Sequence, residues 1–150
     1  MSENAGPPPV PTPAARADCW LLRSRRSPAE ARRRLEQLLA EAPGGQRFAD
    51  AGLLLVSELV TNAVVHGTPA GNKVLLVLDL DSARLRIEVH DARADREPVL
   101  RAASPEDESG RGLILVKSLA LRWGCCPRVG VGKIIWAEIG PDTVPVERAA

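Results

Sequence analysis

Glu58, Asn62 and His66 recur every fourth residue within an otherwise apolar segment, Leu-Leu-Leu-Val-Ser-Glu-Leu-Val-Thr-Asn-Ala-Val-Val-His-Gly, from Leu53 to Gly67. On an α-helix, at about 100° per residue, the three form one polar stripe. The dense apolar flanks predict a buried helix. A carboxylate and an amide in such a setting are costly unless something satisfies them. One such partner is a ligand carrying a hydrated metal ion. Mg2+ takes oxygen ligands, which the Asn62 side-chain carbonyl can supply while phosphates supply others. Glu58 could then orient or deprotonate an attacking group. The plainer alternative is a solvent-facing stripe on a half-buried helix.

Two further signals lie downstream. Gly110-Arg111-Gly112-Leu113 opens a predicted helix. Glycines there let a backbone approach a ligand closely, and a helix N-terminus attracts phosphate; the alternative is a plain helix entry. Asp91 ends a predicted strand just before a long polar stretch. Its carboxylate could accept a hydrogen bond from an adenine amino group, or could simply be a strand-ending turn residue.

The elements that must position these residues can be read from pattern. Residues 1–16 carry Pro7, Pro8, Pro9, Pro11 and Pro13 and are predicted to be a disordered tail, with 17–140 the folded domain and 141–150 a second flexible end. Cys19 to Arg23 suits an edge strand. Ser27-Pro28-Ala29-Glu30 reads as a helix start, with Ser27 the N-cap, and the helix should run to about Glu41 with Ala31, Leu35, Leu38 and Leu39 buried. Pro43-Gly44-Gly45 ends it.

A second helix is expected from about Gln46 to His66, stopping at Gly67. Lys73–Leu80 and Leu85–Asp91 read as strands joined by a turn at Asp81-Ser82. In the second, Leu85, Ile87 and Val89 face one way and Arg86, Glu88 and His90 the other. Ala92 to Ser109 is a long polar stretch with Pro98 and Pro105, of a length that is usually functional or disordered. Gly110 to Leu121 gives a third helix. Leu121–Arg128 and Lys133–Ile139 should close the chain as a hairpin turned at Gly130 to Gly132. Strands at both ends with helices between them predict an α+β sandwich, a mixed sheet covered on one face by helices.

Composition narrows the function classes. The chain has 150 residues, 45% apolar and 26% charged, room for one ordinary globular domain. Its 20 basic and 19 acidic residues nearly cancel, which argues against direct nucleic-acid or membrane-surface binding. At 3% aromatic it lacks the platforms of base-stacking modules. No apolar run approaches the ~20 residues of a membrane span, and no signal-peptide core is visible, so a cytoplasmic location is expected. Cys19, Cys125 and Cys126 suit neither a disulfide framework nor a zinc site. The arginines at 23, 25, 26, 32, 33 and 34 read as a solvated helix face and its lead-in, or alternatively as a partner-docking surface.

Taken together, Glu58-Leu59-Val60-Thr61-Asn62-Ala63, then Asp91, then Gly110-x-Gly112 resemble, in order, the three motifs of GHKL (histidine kinase-like) ATP-binding domains. Val56 through Ala63 and the closing Gly132-Lys133-Ile134-Ile135-Trp136-Ala137-Glu138 look like the anti-sigma-factor serine kinase branch. The resemblance covers about residues 18 to 140 and implies a Bergerat-type fold, a two-layer sandwich with a mainly antiparallel sheet. It implies ATP and Mg2+ as cofactors. Asn62 would bind Mg2+, Glu58 would act as base on a serine hydroxyl, and Asp91 would read adenine. Gly110, Arg111, Gly112 and Leu113 would flank the triphosphate, His66 would join the nucleotide site, and the stretch between would be the ATP lid.

Two departures from the family pattern stand out. Asp91-Ala92-Arg93-Ala94-Asp95 lacks the glycines usual after the aspartate. Ile134 is read at the position where the final strand often carries a threonine that helps the aspartate bind adenine. Expected partners are a sigma factor, an anti-sigma-factor antagonist protein, or both, with a homodimer possible. The competing reading is a partner-sequestering module with weak or no kinase activity. A detached histidine-kinase catalytic domain ranks last, because neither His66 nor His90 sits at the centre of a phospho-acceptor helix.

Overall fold

In the computed structural model, residues 15–67, 73–91, 115–127 and 132–145 are described. The chain forms β1 (Ala15–Leu22), α1 (Ser27–Glu41), a 3-10 turn (Gly45–Phe48), α2 (Ala49–Asn62) and a π-helical turn (Ala63–Gly67). It continues through β2 (Lys73–Leu80) and β3 (Leu85–Asp91) to β4 (Arg122–Pro127) and β5 (Lys133–Ile139). Residues 115–119 are helical.

The strands make one sheet in the order β1-β2-β3-β5-β4. Each of the four ladders is antiparallel, so the mixed sheet expected from sequence resolves into an antiparallel one among the described residues. Its register sorts side chains by parity. Leu21, Val74, Leu76, Leu78, Leu85, Ile87, Val89, Ala137 and Ile139 all face the helices. There they join Leu35 and Leu39 of α1 and Leu55, Val56, Leu59 and Val60 of α2 in one core. α1 lies against β1 and α2 against β3 and β5. Gly52 lets α2 approach this closely, since a Cβ there would lie 2.9 Å from Leu85 Cδ2.

The opposite face carries charge. Arg16, Asp79, Arg86, Glu138 and Arg122 oppose one another in register across all five strands.

Several local expectations are revised. Ala15 and Arg16, expected in the N-terminal tail, belong to β1. At the other end, the Asp142 N–H donates to Arg47 O at 2.7 Å, tying the start of the expected flexible segment to the 3-10 turn. Ser27 is the first residue of α1 rather than its N-cap. Its hydroxyl donates to Leu22 O, and Glu30 instead binds Arg33 and Arg34. The third helix ends at 119, because the Leu121 N–H turns to donate to Glu138 O at 2.7 Å.

Gly45–Val65 is, by length and composition, long and apolar enough to cross a bilayer, contrary to the sequence expectation that no run is. Here half of it is buried, and its apolar face fills the core between α1 and the sheet.

Candidate functional site

The close approach of Gly52 to Leu85 and Ile139 sets the start of α2 over the start of β3. The π-helical turn at the other end of α2 also packs against β3. The helix and strand therefore run in the same direction, and the turn after Asn62 comes out toward Asp91. This is the arrangement the stripe needed. Glu58 and Asn62 lie on the second half of α2, both half-buried, with Leu55, Leu59 and Val60 buried beside them.

Two features shape the α2 end. Arg32 Nη1 donates to Ser57 Oγ at 2.9 Å, fastening α1 to α2 at the residue before Glu58. One member of the arginine cluster is thus a structural tie, while Arg33 and Arg34 hold Glu30 on an exposed helix face. At Asn62 the α-helix gives way to the π turn, and the Ala63 N–H is shared between Leu59 O and Val60 O. Such π turns frequently mark functional sites, because they re-aim the side chains that follow.

Asp91 is the last residue of β3 and is buried, at 5% exposure. It has the same parity as Leu85, Ile87 and Val89, so its carboxylate lies on the helix side of the sheet. His90 has the opposite parity, and its Nε2 lies 3.0 Å from Glu88 Oε1 on the charged face. His66 falls in the π turn, and its side chain lies outside the described residues, as do Gly110, Arg111, Gly112, Leu113 and the expected lid.

Lys133 is the residue that sequence reasoning missed. The β3–β5 register sets Lys133 directly opposite Asp91 and puts Ile134 opposite His90. The strand position facing the Asp91 carboxylate therefore belongs to Lys133 and not to Ile134, which points to the other face. Lys133 Nζ lies 3.4 Å from Asp91 Oδ1 and 3.3 Å from Oδ2, and the lysine is only 9% exposed. The available signal was that both residues end their strands. Using it required knowing that β3 pairs with β5, a contact more than 40 residues apart.

Among the described residues no group of three or more His, Cys, Asp or Glu could hold a metal ion. The donor chemistry here suits a metal that takes most of its oxygens from phosphate and water, with the Asn62 amide oxygen as a single protein ligand. A separate groove of about 200 Å³ lies between β1 and α1, lined by Arg16, Cys19, Arg34, Leu38 and Glu41, away from these residues.

The model of a family described as "Histidine kinase-like ATPase domain" matches residues 23–137. No curated protein matches the chain.

Proposed function

The chain belongs to the histidine kinase-like ATPase domain family, and from that membership we propose that it is an ATP-binding regulatory protein that phosphorylates a serine or threonine on an antagonist protein. The observation that carries the reading is the convergence of α2 and β3. One edge of the core then holds a carboxylate and an amide a turn apart on the helix, with a buried carboxylate at the strand end.

Each residue has a role in this reading. Asn62 presents its amide oxygen to Mg2+. Asp91 accepts a hydrogen bond from the adenine amino group. Gly110 through Leu113 line the phosphates, with His66 beside them. Bound Mg2+–ATP supplies a transferable phosphoryl group whose charge is partly neutralised. Glu58 accepts the proton of the incoming hydroxyl, and its half-buried position keeps it directed by the helix rather than free in solvent. The likeness of Val56–Ala63 and Gly132–Glu138 to the anti-sigma-factor kinase branch supports a sigma factor, an anti-sigma-factor antagonist protein, or both, as the partner.

A second reading, a partner-sequestering module with little turnover, draws support from Lys133, which already holds the Asp91 carboxylate. Calorimetry of ATP binding with and without Mg2+ separates the two. Mg2+-dependent binding supports the kinase reading; no binding at millimolar ATP leaves the sequestering module.

A further inference from the structure

We propose that Lys133 is a built-in competitor of the nucleotide base for Asp91, and that it sets the affinity for 6-amino purines; this rests on the assignment of Asp91 as the base-reading carboxylate. The Lys133 ammonium lies 3.3 and 3.4 Å from the two carboxylate oxygens, bridging them rather than occupying one side. Lys133 is 9% exposed and Asp91 5%, so water does little to screen the pair. An exocyclic amino group is a neutral donor, and a hydrogen bond from a cation to a carboxylate is about twice as strong as one from a neutral donor. A base that reaches Asp91 must therefore displace the ammonium or share an oxygen with it.

The fold holds Lys133 in this place. Asp91 and Lys133 are register partners at the ends of two neighbouring antiparallel strands, and the inward parity of both is locked by the core residues Val89 and Ile135. A slip of one residue in either strand would turn that strand's side chain to the other face and separate the pair. The lysine is fixed by the β3–β5 pairing beside Asp91, not a surface side chain that wanders in.

The competition is specific to one atom of the ligand. A purine with a 6-amino group needs the carboxylate as acceptor; a purine with a 6-oxo group offers an acceptor there and gains nothing from a bare carboxylate. Freeing Asp91 should therefore favour ATP over inosine triphosphate, while keeping a cation at 133 should not.

The test is a calorimetric titration of the full chain with Mg2+–ATP and with Mg2+–inosine triphosphate, using wild type, Lys133→Met, Lys133→Gln and Lys133→Arg. Folding is checked in each by circular dichroism. Lys133→Met should bind ATP about tenfold more tightly, as expected for releasing one hydrogen bond to a charged group, with no gain for inosine triphosphate. Lys133→Gln should fall between, and Lys133→Arg should match wild type. If Met fails to fold, the Gln and Arg pair decides by the same ordering. Equal or weaker ATP binding in the neutral variants, or a gain shared by both nucleotides, overturns the proposal while leaving Asp91 as a nucleotide contact. Absence of ATP binding in every variant removes the proposal together with the assignment it rests on.

Discussion

Arg86 and Glu138 face each other at the centre of a row of alternating charge that crosses the whole sheet. Glu138, at 1% exposure, has Arg84 Nη1 at 3.2 Å, Arg86 Nε at 3.6 Å and Arg122 Nη2 at 2.7 Å. Arg86 is 3% exposed and shares its charge between Glu138 and Glu88, whose Oε2 lies 3.7 Å from Arg86 Nε. Breaking a buried ion pair by removing one partner leaves an uncompensated charge, which typically costs about 3–5 kcal/mol. Glu138→Gln should lower the unfolding free energy by an amount of that order, read as a lower denaturant midpoint. Arg86→Met in the same chain should recover part of the loss. A midpoint unchanged by Glu138→Gln would show that the row is ornamental.

The same row holds a pH-dependent member. Burial pushes the Asp79 carboxyl above the usual carboxylate range, and the Arg16 guanidinium at 2.9 Å only partly pulls it back. A carboxyl whose folded pKa is raised contributes stability below its unfolded pKa and loses it as pH rises through the folded value. The stability of Asp79→Asn relative to wild type should therefore improve as pH rises from about 4 to neutrality. Denaturant titrations across that window check it. A relative loss for the variant with rising pH would mean that the Arg16 pair outweighs burial.

Asn62→Ala should weaken nucleotide binding in the presence of Mg2+ and leave metal-free binding nearly unchanged, since the substitution removes one oxygen ligand and no base contact. Paired titrations with and without the metal give the comparison. Equal losses in both would make Asn62 a structural residue of the π turn.

Glu58→Gln keeps the shape and a hydrogen-bonding group but cannot take a proton. ATP binding should persist while phosphorylation of the cognate antagonist protein falls by about 10²–10⁴-fold, the usual worth of a general base. A transfer rate per folded molecule equal to wild type would remove Glu58 from the chemistry.

Local chemistry was the legible part of this fold. The bounds of α1, β2 and β3 follow from apolar periodicity and turn residues. The Asp81 turn forms because its Oδ1 accepts from the Ala83 and Arg84 N–H groups at 2.7 and 2.8 Å. The stripe of Glu58 and Asn62 was visible because helical spacing is local. What could not be read was set by partners outside each residue's own helix or strand. Ser27 looked like a cap, yet the end of β1 offered its hydroxyl a better acceptor in Leu22 O. Lys133 looked like an ordinary strand start until the β5 register set it against Asp91.

Whether Asp91 reads the base of a bound ATP is decided by calorimetric titration of Mg2+–ATP into wild type and Asp91→Asn. Asparagine keeps the size of the side chain but replaces the carboxylate with an amide. Wild type should bind saturably and the variant should lose about tenfold or more, the worth of one hydrogen bond to a charged acceptor. Binding of equal strength by both proteins, or no binding by wild type at millimolar ATP, would contradict that role for Asp91.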